Sequence, residues 1–277
     1  MPPRTGPGHH PSYGGSVDLV ARLRAAGCVF AEEEAELLRD ADDEQVGRRI
    51  AGEPLEHVLG WAEFRGLRVA VAPGVFVPRH RSELLVDLAI ARSRPGAVVV
   101  DLCCGTGALG AAVAAAVGPD DSSASLLAPR DSSAAPSVEL HAVDRDPAAV
   151  ACARRNVPGR VHAGDLDAPL PDELRGRVDV LLASPPYVPT DEIARMPPEA
   201  REHEPRATLD GGPDGLALAR RIAALAPHWL APRGALLVEC ATHQGPALAV
   251  AVRDAGLTAT VHTDDDATAV EGRWPTR

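Results

Sequence analysis

Ala97-Val98-Val99-Val100-Asp101-Leu102-Cys103-Cys104-Gly105-Thr106-Gly107 is the stretch on which the fold turns. Its apolar run, broken by one carboxylate, predicts a buried strand over Ala97–Leu102. Two glycines, Gly105 and Gly107, separated by one residue then let the backbone take unusual dihedrals and approach a ligand closely. The Ala/Val-rich segment Ala108–Val117 predicts a helix whose first N–H groups lack intrahelical partners. Strand, glycine loop and helix in this order begin a parallel sheet, because parallel neighbours need a long crossover between them.

Toward the C-terminus the alternation repeats. Strands are expected over Val138–Val143, Arg160–Ala163, Val178–Ala183 and Ala235–Cys240, and helices over Pro147–Arg155, Gly215–Ala226 and Pro246–Ala255. Thr258–His262 and Ala267–Glu271 read as a closing antiparallel pair. Gly118–Ser137 is rich in Ser, Ala, Pro and Asp and reads as a flexible inserted loop. Toward the N-terminus, Glu83–Ala91 has a helical pattern, and Trp61–Val77, punctuated by Gly66 and Pro73-Gly74, predicts a hairpin. Ser16 to about Gly60 is helical, with Ser16 as N-cap, Gly27 as a stop and the run Glu32-Glu33-Glu34 as a solvated face. Met1–Gly15, rich in Pro, Gly and His, reads as a disordered tail without the apolar core of a secretion signal.

Composition narrows the function. The chain has 277 residues, is 45% hydrophobic and 24% charged, and has a net charge of −11. Arginine supplies all of its side-chain positive charge apart from histidine, and Asn156 is its single asparagine. The acidic balance argues against a general affinity for nucleic acid, which needs a basic field to neutralise phosphates. An uninterrupted apolar run of about 18 residues, the mark of a membrane span, is missing. Cys28, Cys103, Cys104, Cys152 and Cys240 form no C-x-x-C pair, which points away from a zinc site or disulfide framework and toward small apolar residues in a reducing cytoplasm. No residue cluster implies a metal, and the oligomeric state is left open.

Asp101 just before the glycine loop suits a ligand with an amino acid part better than a pyrophosphate. Asp144, ending the second strand, is placed to bind ribose hydroxyls. Asp165, with Leu166 after the third strand, lies where an adenine would rest. The fourth strand runs into Ser184-Pro185-Pro186-Tyr187. Neither proline has an N–H, so few donors compete for the local carbonyls, and the Ser184 hydroxyl adds an acceptor. A flat amino group could donate both hydrogens to this pair, with Tyr187 against its plane. Taken alone, the segment is also a strand followed by a proline-rich turn. His203, between Glu202 and Glu204, reads as a solvated or salt-bridged loop residue rather than a ligand or base.

In this order the motifs resemble the class I S-adenosylmethionine-dependent methyltransferases of the HemK/PrmC type, which methylate a glutamine side-chain amide in peptide-chain release factors. The resemblance runs from about Ser16 to the C-terminus. It is most specific at Pro54-Leu55, Leu59-Gly60, Glu63-Phe64, Gly66-Leu67, Pro73-Gly74, Val77-Pro78-Arg79 and Ser82-Glu83, and again at Glu204-Pro205-Arg206, Leu209-Asp210-Gly211-Gly212 and Asp214-Gly215-Leu216. It implies an α/β fold, a Rossmann-like methyltransferase sheet with a small N-terminal helical domain. The expected divisions are a tail over 1–15, helices over 16–60, a β-hairpin linker over 61–80 and a catalytic domain over 81–277 with the loop 118–137 inserted. The resemblance further implies that Cys103, Cys104, Gly105, Thr106 and Gly107 wrap the methionine part of S-adenosyl-L-methionine. Asp144 would hold its ribose, Asp165 and Leu166 would border its adenine, and Ser184, Pro185, Pro186 and Tyr187 would bind the substrate amide. The partner implied is a cytoplasmic release factor. Two departures from the family pattern matter: Ser184 replaces Asn, and the usual Arg-Pro-Glu-Thr-Glu becomes Arg79-His80-Arg81-Ser82-Glu83, which reverses a charge at Arg81. Serine at the first is familiar in methyltransferases acting on DNA amino groups. Amino-group methylation of DNA or RNA bases is therefore one alternative, and a non-catalytic cofactor-binding regulator another.

Overall fold

The computed structural model describes residues 15–117 and 137–276. Apart from Gly15 and Ser137, the tail expected over 1–15 and the loop expected over 118–137 lie outside the described residues. By its internal contacts the chain divides after Leu59.

The first unit holds α1 (Gly15–Ala25), α2 (Ala31–Leu37), α3 (Asp43–Ile50) and α4 (Leu55–Leu59). Gly27, in the left-handed region at φ 93°, stops α1, which begins one residue before the expected cap. Asp42 and Gln45 form a reciprocal capping box at the start of α3, satisfying donors a helix N-terminus leaves free. Leu23, Ala31, Ala35, Leu38 and Val58 make the core. The acidic run is not uniformly solvated: Glu32 and Glu33 are exposed, but Glu34 is buried and takes a two-pronged pair from Arg49, at 2.6 and 2.9 Å. Helical periodicity turns every third or fourth residue inward, and the charge there survives because a guanidinium meets it.

The second unit opens with β1 (Trp61–Phe64) and β2 (Leu67–Ala70), an antiparallel hairpin whose turn residues Arg65 and Gly66 both have positive φ. The strands stop at Ala70, short of the expected Val77, because the chain turns at Pro73-Gly74; Val71, Val75 and Val77 are nevertheless buried. After α5 (Glu83–Arg92) come β3 (Val98–Leu102), α6 (Ala108–Ala116), β4 (Glu139–Asp144), α7 (Pro147–Asn156), β5 (Arg160–Ala163) and β6 (Val178–Ala183). The chain continues through α8 (Pro198–His203), α9 (Ala217–Trp229), β7 (Leu230–Cys240), α10 (Gly245–Asp254), β8 (Thr258–Thr263) and β9 (Thr268–Arg273). The helix α9 runs on through Pro227, and β7 starts earlier than expected, with its register to β6 shifting between Val178 and Val180.

The strand order is β5-β4-β3-β6-β7-β9-β8, parallel from β5 to β7 and antiparallel at β9 and β8. The chain winds outward from β3 to β5 and then returns to place β6 on the other side of β3. This reversal leaves a crevice at the carboxyl ends of β3 and β6, where open α/β sheets bind ligands. Strand alternation sorts the faces: Val98, Val100, Leu181 and Val238 join one core with Ile222, Trp229 and Leu248, while Val99, Ala142, Leu182 and Leu237 join another with Leu85, Val86 and Val113. Asp101, Asp144 and Glu239 lie two residues beyond Val99, Ala142 and Leu237, so period two brings three carboxylates to the same face at the crevice.

On β4, the buried His141 meets His162 of β5 through Nδ1 and Nε2 at 3.0 Å, with Glu139 Oε1 3.3 Å from its Nε2 and Arg160 beside both. Burial holds both imidazoles below the ordinary histidine range. The unfolded chain therefore takes up protons near pH 6.5 that the folded one resists, so stability is full above that pH and falls as pH drops through it. We expect the unfolding temperature to fall between about pH 7.5 and pH 5.5, and His162→Gln, which keeps a partner for His141 but does not titrate, to flatten that fall. A thermal scan of both proteins checks this; equal slopes would remove the pair as the cause.

Candidate active site

The crevice opens into a cavity lined from four strand ends. Asp101, Cys103, Cys104, Gly105 and Thr106 reach it from the β3–α6 loop, Asp144 from β4, Asp165 and Leu166 from beyond β5, and Ser184, Pro185, Pro186 and Tyr187 from beyond β6. Gly107 is not among the lining residues. It adopts φ 77°, and a Cβ on it would sit 2.4 Å from Val157 Cγ2, so glycine is required there by the packing of the loop against the end of α7.

Asp144 organises the loop. Its Oδ2 accepts the Gly105 N–H and its Oδ1 the Asp146 N–H, both at 2.9 Å. Cys103 and Gly105 take left-handed φ of 57° and 54°, and the Cys104 N–H is tied to the Val143 carbonyl at 3.1 Å. From behind, the Asn156 amide donates to the Thr106 carbonyl at 2.8 Å and to Ala70 at 2.9 Å, joining loop, helix α7 and hairpin. Asp101 is 1% exposed and accepts the Gly110 N–H of α6 at 2.9 Å. Burial pushes its carboxyl up to about 7, with the Asp144 carboxylate adding to the rise and the Gly110 bond opposing it. Burial also pushes both loop thiols upward, so Cys103 and Cys104 present neutral, weakly polar sulfur. Asp165 sits on the exposed rim, where its bond to Arg221 at 2.6 Å holds it below the usual carboxylate range.

The turn after β6 is braced from outside. Val188 exchanges backbone bonds with Leu209 and Gly211 at 3.0 and 2.8 Å, and the Thr190 N–H reaches the Gly212 carbonyl at 3.0 Å. Gly211 lies so close that a Cβ would be 2.7 Å from the Pro186 carbonyl. This explains the glycine-rich segment 209–216 as the support for the turn. Among the described residues, no hydrogen bond to the Ser184 hydroxyl or the Pro185 carbonyl is formed. The expected pair of acceptors is therefore open to the cavity.

Several lining residues escaped the sequence reading of the site. Phe76, Arg79, Arg81 and Ser82 come from the segment before α5, Glu204 from beyond α8, and Glu239 from β7. Arg79 pairs with Glu204 and lies over Phe76 at 5.1 Å. His203, by contrast, does not line the cavity. Glu239 had a legible signal, as the one carboxylate in the apolar run of β7, since a charge in a buried strand needs partners.

The chain matches no family model. It is 37% identical to the release factor glutamine methyltransferase of Geobacter sulfurreducens over 199 residues, which are 70% of this chain and 63% of that protein. It is 40% identical to the Streptomyces coelicolor protein of the same description over 209 residues, 73% of this chain and 68% of that one. The chain thus spans somewhat less than two thirds of the Geobacter relative's length. Among solved structures, the T. thermophilus 16S rRNA N2 G1207 methyltransferase, in complex with AdoMet and guanosine, superposes with a TM-score of 0.51 at 17% identity, covering 78% of this chain and 50% of that one. This last likeness concerns the fold.

Proposed function

The chain belongs to the release factor glutamine methyltransferase family, and from that membership we propose that it transfers a methyl group from S-adenosyl-L-methionine to the side-chain amide of a glutamine in a peptide-chain release factor. The observation that carries this reading is the convergence of the Asp144-tethered glycine loop and the Ser184–Tyr187 turn on one cavity. The residues present fit the cofactor. Each Asp144 oxygen accepts one N–H and retains capacity for a second donor, which suits the two hydroxyls of a ribose. Asp101, buried in the same cavity, offers a carboxylate to an ammonium group. Cys103, Cys104 and Leu166 supply apolar contact.

Bound there, the cofactor supplies an electrophilic methyl on a sulfonium. The acceptor is a poor nucleophile because its nitrogen lone pair is delocalised into the carbonyl. Ser184 Oγ and the Pro185 carbonyl each accept one amide N–H, which orients the nitrogen and stabilises the positive charge that grows on it as the new bond forms. Tyr187 packs against the amide plane. Holding nitrogen at attacking distance contributes up to about 7–11 kcal/mol, and the proton displaced by methylation leaves to solvent. We place this activity in the cytoplasm. Among the described residues, no helix is long and apolar enough to cross a membrane.

The test is transfer of labelled methyl to a release-factor fragment, beside the same fragment with its target glutamine replaced by glutamate and beside DNA and RNA oligonucleotides. Label on the glutamine fragment alone is the expected result. Label on an oligonucleotide would move the acceptor to a base amino group, and cofactor binding by calorimetry without any transfer would favour a regulator. The same calorimetry carries a pH prediction. Burial pushes the Asp101 carboxyl up to about 7, and a cationic ligand favours its ionised form. Cofactor affinity should therefore rise as pH climbs to about 7, below the range of about 8 where the cofactor's own α-ammonium loses its proton, and Asp101→Asn should bind more weakly and lack that rise. An unchanged profile in Asp101→Asn would assign the titration elsewhere.

A further inference from the structure

We propose that Glu239 and Arg81 are positioning residues for Tyr187, holding its ring at the acceptor end of the cavity while Gln244 fixes its main chain. Glu239 is 4% exposed, and among the described residues the hydrogen bonds and ion pair of its carboxylate come from Ser82, Tyr187 and Arg81, which all line the cavity. Ser82 Oγ donates to its Oε2 at 2.8 Å, the Tyr187 hydroxyl to its Oε1 at 3.4 Å, and Arg81 Nε lies 3.8 Å from Oε1. Arg81 also places its guanidinium carbon 5.7 Å from the centre of the Tyr187 ring, within reach of a cation–π attraction. The ring is thus held at its tip by a carboxylate and on one face by a cation. Burial, and secondarily the Glu239 charge, pushes the phenol up to about 12, so it remains a donor.

The main chain is held separately. Gln244, 3% exposed, donates from Nε2 to the Tyr187 carbonyl at 2.8 Å and to the Asp214 carbonyl at 3.0 Å, while its Oε1 accepts the Ala241 N–H at 2.9 Å. A tyrosine side chain fixed only at its backbone would still rotate about two bonds. The Glu239–Arg81 pair removes that freedom, and a preorganised ring is what a transfer sensitive to small misplacement requires. The sheet register supports the assignment: Ala183 pairs with Val238, so Glu239 stands beside the point where β6 gives way to Ser184. Neither Glu239 nor Arg81 belongs to the Cys103–Thr106 loop or hydrogen-bonds to Asp144, so their loss should spare cofactor binding.

The activity arm of the test rests on the function proposed above, whereas the spectroscopic arm does not. The chain has two tyrosines, Tyr13 and Tyr187, so Tyr13→Phe leaves Tyr187 as a single reporter. The full chain carrying that substitution is labelled with fluorotyrosine and compared with its Glu239→Gln, Arg81→Met and Arg81→Lys forms. We expect the Tyr187 fluorine signal to shift and broaden in the first two. Their kcat on a release-factor fragment should fall roughly 10-fold, with partial recovery in Arg81→Lys and with cofactor affinity at the parent's value. An unmoved signal with unchanged kcat overturns the proposal, as does a parallel loss of cofactor affinity and unfolding temperature, which marks a purely structural role. If the parent is inert on the fragment, that failure falls on the acceptor assignment, and the fluorine signal alone decides whether Glu239 and Arg81 hold the ring.

Discussion

Asp144→Ala is expected to weaken S-adenosylmethionine binding by about 100-fold or more, the largest loss of affinity for a single side chain in the cavity. Its two oxygens accept the Gly105 and Asp146 N–H groups, so alanine removes the acceptors that shape the loop as well as the partner proposed for the ribose. A hydrogen bond to a charged group contributes about 1.5–3 kcal/mol, and about 2.8 kcal/mol already corresponds to 100-fold. Asp144→Asn keeps one accepting oxygen and turns the other into a donor facing a donor, so its affinity should fall between parent and alanine variant. Isothermal calorimetry measures all three directly. An alanine variant that binds as the parent does would remove Asp144 from the cofactor site.

The second large effect is expected at Gly215, which no catalytic argument from sequence singles out. It adopts φ 75°, and a Cβ there would lie 2.2 Å from both the Tyr187 carbonyl and Gln244 Nε2. Those atoms are the two ends of one hydrogen bond. Gly215→Ala therefore inserts a methyl group between the acceptor turn and its brace, and backbone on one side leaves little room to yield. A displacement of the turn by about 1 Å is expected to lower kcat roughly 100-fold. Cofactor affinity should hold, because the glycine loop is anchored by Asp144 and Asn156 instead. Gly176→Ala is the matched control: its φ is 69°, but nothing lies within 4 Å of an added Cβ, so it reports left-handed strain alone. If both variants lose activity equally, the close approach at Gly215 is not the cause.

Much of the candidate site's placement at the ends of β3, β4 and β6 is legible in sequence because its signals are local. The apolar run Val178–Ala183 has the same bounds as the strand β6, and two prolines necessarily end it. The glycine loop is legible through residue types that a tight turn after a strand needs. The resemblance groups Gly107 with the cofactor loop, and the packing of Val157, fifty residues along the chain, by itself already requires glycine there. The hairpin ends before the expected Val77 because Val71, Val75 and Val77 are buried without being in a strand, and burial and strand pairing leave the same mark on composition. The buried pairings of Glu34 and Glu239 are not legible in sequence for a related reason: a carboxylate becomes tolerable inside only when a distant donor meets it, and Arg49 or Ser82 cannot be paired with it by spacing.

By itself, the chain's order of residues determined the strand–helix alternation, the parallel α/β class and the two motifs that end β3 and β6, since periodicity and turn chemistry act within a few residues. Only the tertiary structure decided that β6 returns beside β3 and that Asp101, Asp144, Ser184 and Glu239 meet at one crevice. It also decided that the segment 209–216 stands behind Tyr187. Strand order and cross-strand register depend on which distant surfaces bury each other best, and that preference is written in no single stretch of the chain.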